Sequence, residues 1–314
     1  MSTFSAPGKM ILFGEHAVVF GKPALAIAID RRITSTVRDS AQYGVNGHPM
    51  KKRHHAYISA ALDQAWNGPP VAVETASQIP SGSGLGSSAA VSVSCVAALL
   101  ARKGKVVPED VARRAFEVEL AVQGRASPTD TSVSTHGQAV LVSPERSDGF
   151  LWRIEKGERA WNVHHRDTPE LTFVVGYTGI HAATGPLVEG VRKLVESSED
   201  ARRAVDRIGE ITAEGVDALG RKDRRRLGEL MRENHSLLNS LGVGHPSLDA
   251  LVQACAGDAF GAKLTGAGGG GSMIALTDDP SGVARAISAA GGRPFIVRTG
   301  CDGVREEKCP PRCG

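Results

Sequence analysis

The segment "PSGSGLGSSAAV", from Pro80 to Val91, constrains this chain more than any other stretch. It has glycine at positions 82, 84 and 86, then two serines, and then the start of an apolar run with helical spacing. Glycine loses more conformational freedom on folding than any other residue, so this density needs a reason. Bare backbone N–H groups at a helix N-terminus attract anions, because the helix dipole adds partial positive charge there. We therefore predict a phosphate-binding loop followed by a helix.

Two familiar phosphate-binding templates do not fit this loop. A P-loop needs Gly-Lys followed by Ser or Thr, and none of the three Gly-Lys pairs in the chain is followed by either residue. The dinucleotide pattern needs Gly-x-Gly-x-x-Gly after a strand, but Gly82 and Gly84 are followed by Ser87 at the third glycine position. A NAD-binding protein is therefore disfavoured. A simple turn with a helix cap remains the structural alternative.

The serines that follow the glycines, Ser87 and Ser88, have two possible uses. A serine hydroxyl at a helix start can accept a hydrogen bond from a backbone N–H group and so cap the helix. It can also be a ligand of a phosphate-bound Mg²⁺ ion. The sequence alone leaves both uses open.

Two further stretches carry unusual residues. "LTGAGGGGS", from Leu264 to Ser272, has strand-like sequence on both sides, so we predict close backbone approach to a ligand or to the first loop rather than a flexible hairpin. "SAPGKMILFGEHAVVFG", from Ser5 to Gly21, places Lys9, Glu15 and His16 among apolar residues. Because buried charge is costly unless it is paired or used, these three residues are candidates for a site.

Composition excludes several classes of protein. The chain has 314 residues, of which 41% are hydrophobic, 23% charged and 4% aromatic, with a formal net charge of +3. So few aromatic residues and so small a charge argue against a nucleic-acid partner. No apolar run reaches the length of a membrane span, and no signal peptide is recognisable at the N-terminus, so we expect a cytosolic protein with no membrane contact.

The pattern of strands and helices predicts an α+β protein of two lobes. Strand-like segments dominate the first half, and helical spacing dominates from about residue 187 to 256. We predict one domain at 1–165, a second at 166–300 and a tail at 301–314. Cys95 and Cys255 fall in apolar helical patterns and are expected in the core. The tail carries Cys301, Cys309 and Cys313; we expect a frayed end, and a disulfide within it is the alternative.

Together the stretches resemble the three motifs of the GHMP small-molecule kinases. "PSGSGLGSSAA" is similar to the family's phosphate loop, and "KLTGAGGGGS" is similar to its third motif. "APGKMILFGEHAVVFGKPALA" resembles the opening of the mevalonate kinase branch, where the galactokinases carry Gly-Glu-His-Thr-Asp. A fourth stretch, "EVELAVQGRASPTDTSVSTHG", resembles the segment with the acidic site residues. The resemblance covers residues 5 to 298, and the compact length is like that of the archaeal members.

The resemblance implies a role for each matching residue. Asp130 matches the catalytic aspartate and Lys9 the lysine paired with it, while Ser88 and Glu119 match the Mg²⁺ ligands. The substrate positions are Glu15, His16, Thr184 and Gly268. The residues expected to hold the ATP phosphates are Pro80, Ser81, Gly82, Ser83, Gly84, Leu85, Gly86, Ser87 and Ser88.

The resemblance also implies a fold and a reaction. The first lobe is expected to be a ribosomal-protein-like domain and the second a ferredoxin-like domain with extra helices, with the site in the cleft between them. The expected reaction is ATP-dependent, Mg²⁺-dependent phosphorylation of mevalonate, and a homodimer is possible. The alternatives are another GHMP kinase, such as one acting on phosphomevalonate, and a non-catalytic ligand-binding relative.

Overall fold

The computed structural model describes residues 1–80, 82–124, 126–181 and 183–308. Ser81, Cys309 and Cys313 therefore lie outside the described residues. The described chain contains two β-sheets, each with helices packed against it.

The first sheet has nine strands and is centred on the long strand β2. Its strands are β1 Ser2–Phe13, β2 Ala24–Asp39, β3 Gly44–Val45, β4 His48–Pro49, β5 Val71–Ser77, β6 Ala139–Ser143, β7 Phe150–Lys156, β8 Arg159–Arg166 and β13 Arg305–Glu306. The path β4-β3-β5-β2-β6-β8-β7 runs across it, and β1 pairs antiparallel with β2 and with β13. The pairing of β3 with β5 is parallel, so the sheet is mixed.

Four helices accompany the first sheet. They are α1 Ala56–Ala65, α2 Ser87–Ala101, α3 Pro108–Gln123 and α4 Pro128–His136. Helix α2 is buried along most of its length and packs on β1 and β2, which its many small side chains allow. Helix α3 begins at Pro108 and ends before Gly124, whose φ of 72° is left-handed; proline is common at the first helical position and glycine just after the last. Between β1 and β2 lies a short 3-10 helix, Ala17–Phe20.

The second sheet is antiparallel, with strand order β10-β11-β9-β12. Its strands are β9 Thr172–Tyr177, β10 Gly261–Thr265, β11 Ser272–Leu276 and β12 Arg293–Arg298. Its helices are α5 Thr184–Ser197, α6 Glu199–Gly220, α7 Arg224–Ser240, α8 Pro246–Ala254 and α9 Pro280–Ala289. The strand order is that of a ferredoxin-like sheet with additional helices between β9 and β10. The predicted two-lobed α+β fold is confirmed.

The tail differs from expectation. Arg305 and Glu306 add strand β13 to the edge of β1, and the backbone N–H of Val304 donates to the carbonyl of Thr135 at the end of α4. The expectation of a frayed end is therefore wrong for residues 301–308, because their backbone groups pair with the first sheet and with α4. Residues 301–308 thus return the chain from the second sheet to the first.

Two cysteines behave as the sequence predicts, since Cys95 and Cys255 are fully buried in the core. Among the described residues, no helix is both long enough and apolar enough to cross a membrane.

Candidate active site

The glycine loop before α2 adopts the conformation for which glycine is needed. Gly82, Gly84 and Gly86 have φ values of 74°, 70° and 76°, in the left-handed region that other residues rarely adopt. Helix α2 begins at Ser87, with Gly86 at the N-cap position and no side chain capping the first turn. The helix-capping alternative for Ser87 and Ser88 is therefore wrong. The first N–H groups of α2 remain available to an anion.

Residues 82–85 of this loop alternate between exposed and buried positions. Leu85 is buried in the core, and the Ser83 hydroxyl donates to the carbonyl of Pro80 at 2.7 Å. Gly82 and Gly84 are exposed, and an added Cβ on Gly84 would meet no atom of the described residues within 4 Å. The outward face of the loop is thus bare backbone, as a phosphate cradle requires.

The predicted catalytic pair is formed. Lys9 Nζ lies 3.0 Å from Asp130 Oδ2; the Lys9 side chain is 5% exposed and that of Asp130 31%. Lys9 passes so close to Gly86 that an added Cβ there would lie 2.7 Å from Lys9 Cγ. The backbone N–H of Lys9 also donates to the carbonyl of Leu85. The glycine loop and the ion pair are therefore one unit.

The start of α4 determines the position of Asp130. Ser127 is the N-cap and accepts a hydrogen bond from the backbone N–H of Thr129, and Pro128 occupies the first turn. A carboxylate in the first helical turn is favoured by the helix dipole. The segment "SPTD" thus presents Asp130 at the N-terminal end of a helix whose other side chains in this turn are buried.

Glu119 is a buried acid beside this pair. It lies on α3 and is 5% exposed, and its Oε2 accepts a hydrogen bond from Gln123 Nε2 at 2.7 Å. Burial, and then the negative charge of Asp130, raise the pKa of Glu119 to about 7, while Ser88, Lys9 and Gln123 act in the opposite direction. Its Oε1 atom is buried and has no hydrogen-bond partner among the described residues. An unsatisfied carboxylate oxygen of this kind suits a cation.

His16 occupies a strained turn. It has φ 60° and ψ −42°, and the N–H of Ala17 donates to the carbonyl of Glu15 at 2.6 Å, which is the pattern of a γ-turn. The ring Nε2 lies 2.9 Å from the carbonyl oxygen of Ala267, and Nδ1 is buried with no partner among the described residues. Burial lowers the pKa of His16. A neutral ring that donates from Nε2 leaves Nδ1 as an acceptor.

The second glycine run forms a turn, residues 266–271, that joins β10 to β11 and contacts the first lobe. An added Cβ on Gly268 would lie 2.0 Å from the carbonyl oxygen of Val243, so Gly268 is required for packing. Ser272 Oγ donates to the carbonyl of Ser83 at 2.6 Å. The predicted contact between the two glycine segments is thereby present. The predicted substrate contact of Gly268 stays a prediction.

Glu15, the residue before His16, has two partners within the protein. Its side chain is fully buried; Oε1 forms an ion pair with Lys263, and Oε2 accepts a hydrogen bond from Asn234 Nδ2 at 3.2 Å. Both carboxylate oxygens are therefore paired with groups of the protein, and the predicted substrate role of Glu15 stays a prediction. Sequence reasoning missed Lys263 and Asn234. The signal for Lys263 was a single charge within the buried strand "GAKLT".

Thr184 belongs to the second lobe, at the start of a helix. It is exposed at the first residue of α5. The loop before α5 contacts the glycine turn, since the N–H of Gly271 donates to the carbonyl of Ile180. The start of α5 thus follows a segment anchored at the site, and the substrate role of Thr184 stays a prediction.

Comparisons with known proteins identify similar families and chains. The model of the GHMP kinases N terminal domain matches residues 54–138, and that of the GHMP kinases C terminal region matches residues 216–296. A curated mevalonate kinase of Pyrococcus abyssi is 38% identical, with 97% of each chain covered.

Two solved structures are also similar. The mevalonate kinase of Methanococcus jannaschii has a TM-score of 0.77 at 26% identity and covers 95% of this chain and 98% of its own. The L. major mevalonate kinase in complex with R-mevalonate has a TM-score of 0.79 at 25% identity, with 96% and 97% covered.

The chain belongs to the GHMP kinase family. Its similarity over nearly full length to curated mevalonate kinases assigns it to the mevalonate kinase branch of that family.

Proposed function

We propose that this chain transfers the γ-phosphoryl group of ATP to the 5-hydroxyl of (R)-mevalonate, giving 5-phosphomevalonate and ADP in the mevalonate route to isoprenoids. The observation that carries the proposal is the Lys9–Asp130 pair, 3.0 Å apart, beside an open glycine loop at a helix start. The substrate is argued from the relatives, which are mevalonate kinases.

Phosphoryl transfer depends on positioning and on charge stabilisation. Asp130 would accept the proton of the attacking hydroxyl, and Lys9 would stabilise the developing alkoxide. The backbone N–H groups of residues 82–88, which include the N-terminus of α2, would hold the ATP phosphates. In this arrangement α4 would supply the proton acceptor, β1 would supply the positively charged side chain, and the glycine loop with the start of α2 would supply the phosphate site.

A magnesium ion fits the donors beside the loop. Glu119 Oε1 is buried and has no partner in the part of the chain that the structure describes, and Ser88 lies in the first turn of α2. Carboxylate and hydroxyl oxygens are suitable ligands for Mg²⁺, so Ser88 and Glu119 would hold it. Bound there, the ion would neutralise phosphate charge.

The mevalonate pocket would use residues from both lobes. The Nδ1 atom of His16, which has no partner among the residues described, would accept a hydrogen bond from a substrate hydroxyl. Thr184, at the exposed start of α5, would add a polar contact from the second lobe. Gly268 would contribute backbone only, since its own position is taken up by packing against Val243.

The test is ADP release with mevalonate, phosphomevalonate, homoserine and galactose. We expect turnover on (R)-mevalonate at least about a thousandfold above the others, because unpaired site groups reject analogues that lack the matching polar atoms. Faster turnover on phosphomevalonate would favour the sister kinase. Binding of an ATP analogue without ADP release on any alcohol would favour the non-catalytic relative.

Cytosolic location and a homodimer complete the proposal, and both come from the sequence and the resemblance. Light scattering of the purified chain measures its mass in solution and so tests the homodimer. A mass of one chain, about 32.9 kDa, would exclude the dimer.

A further inference from the structure

The most deeply buried ion pair of the described chain lies outside the catalytic pair. The side chains of Glu15 and Lys263 are both fully buried, one in the loop after β1 and the other on β10. Asn234, on α7, donates to Glu15. Apolar residues of similar volume often stabilise a fold as well as a buried ion pair does, because the pair must first be desolvated. Stability alone is therefore a weak reason for this pair.

The neighbour of Glu15 supplies a stronger reason. His16 is the central residue of a γ-turn with positive φ, a conformation that persists only where its surroundings hold it. Two contacts with the second lobe hold this turn in place. Glu15 is anchored to Lys263, and the His16 ring is anchored to the carbonyl of Ala267.

Both anchors come from one segment of the second lobe. Lys263 lies on β10, and Ala267 lies four residues later in the glycine turn. Thr265, between them, exchanges hydrogen bonds with the backbone of Ile11 at 3.2 Å and 2.9 Å. The segment 263–267 thus runs beside the segment 11–16 and fixes it at three points.

We propose that Lys263, with Glu15 and Asn234, is a positioning group that holds His16 in its strained turn and so fixes the pocket for the alcohol substrate. This inference rests on the proposed function, since the substrate concerned is the one proposed there. Lys263 acts through His16 and does not touch the substrate. Its loss should weaken alcohol binding and leave ATP binding and the chemical step unchanged.

The test uses the neutral double variant Glu15→Gln with Lys263→Met. A single substitution would leave a buried charge without its partner and could unfold the chain, whereas the double variant keeps the volume and removes both charges. We expect KM for mevalonate to rise at least about tenfold, with kcat and KM for ATP within about twofold, the pattern of lost ground-state binding. Asn234→Ala, which keeps the ion pair, should give a smaller rise.

A matched control exists on the surface. Lys22 Nζ pairs with Asp206 Oδ1 at 2.6 Å, again between the first lobe and the second, but both side chains are exposed. Lys22→Met should leave all three kinetic constants unchanged. If Lys22→Met raises KM for mevalonate as much as the double variant does, the loss of any ion pair between the lobes has this effect, and the proposal is overturned.

A second readout does not depend on turnover. In protein with ¹⁵N-labelled histidine rings, the Nε2–H signal of His16, assigned with His16→Gln, should shift in the double variant and stay unchanged in Lys22→Met. An unshifted signal together with a wild-type KM overturns the positioning role. If the wild type does not phosphorylate mevalonate, the proposed function fails, and the ring signal still decides the positioning role.

Discussion

An added Cβ at Gly84, in the loop of the first lobe, would meet no atom of the described chain within 4 Å, whereas one at Gly268, in the turn of the second lobe, would lie 2.0 Å from the Val243 carbonyl oxygen. Both glycines have positive φ, at 70° and 78°. One segment is therefore rich in glycine to leave an open surface, and the other is rich in glycine to allow close packing. Glycine content alone does not distinguish a ligand cradle from a packed joint.

The largest expected effect tests the packed segment. Gly268→Ala should lower the free energy of unfolding by at least about 3 kcal/mol, because the methyl group meets backbone as well as disfavoured φ. Urea unfolding measures it. Gly271→Ala is the matched control, since Gly271 has φ 69° and open space around it; its cost should be about 1 kcal/mol. Equal losses in the two variants would refute the packing explanation.

The next effect tests the chemistry beside the open segment. Asp130→Asn should lower kcat at least about a hundredfold, because the amide cannot accept the hydroxyl proton. The melting temperature should fall as well, because the Lys9 side chain, which is 5% exposed, loses its charged partner, so kcat is compared at a temperature where both proteins are folded. Glu109→Gln, which breaks an exposed pair with Arg113, is the control and should keep wild-type kcat. An Asp130→Asn enzyme with half the normal kcat would remove the general-base assignment.

A smaller effect tests the open cradle itself. Gly84→Ala should weaken binding of a non-hydrolysable ATP analogue at least about tenfold, because the methyl group enters the space left for phosphate. Its cost in stability should be about 1 kcal/mol, from the positive φ alone. Gly157→Ala, at an open hairpin turn with φ 58°, should show the same stability cost and normal binding. Normal ATP affinity in Gly84→Ala would mean that the loop does not touch phosphate.

The smallest effect concerns Glu119. Because burial raises its pKa from 4.5 to about 7, the folded chain binds more protons than the unfolded chain between these values. Stability from this group is therefore full below pH 4.5 and is lost as pH rises through about 7. Glu119→Gln should raise the melting temperature at about pH 8 by about 2 °C or more, with little change at about pH 4. An equal shift at both pH values would contradict the raised pKa.

The local features around the site were predictable from the sequence, whereas the long-range pairing was not. The glycine loop, the helix start at Ser87 and the end of α3 at Gly124 follow local rules of backbone conformation, so they were predictable. The pairing of Lys9 with Asp130 was expected only through the family resemblance, because no local rule joins residues so far apart.

Other features were not predictable from local pattern. Glu15 was expected to meet the substrate, but the fold brings Lys263 and Asn234 to both of its carboxylate oxygens. The strand at 305–306 was expected to be part of a loose tail, and it pairs with β1. In each case the partner is distant in sequence, and the sequence signal was no more than a charge in an apolar strand or a short polar run.

The sequence by itself determined where glycine, proline and apolar spacing start and end the elements of this protein, and it determined which charged residues stand in apolar surroundings. Only the tertiary structure decided which of those charges pair with each other and which keep an atom without a partner among the described residues, as Glu119 and His16 do. The physical reason is that backbone preference acts between neighbours in the chain, whereas the cost of burying a charge depends on whatever group folding brings beside it.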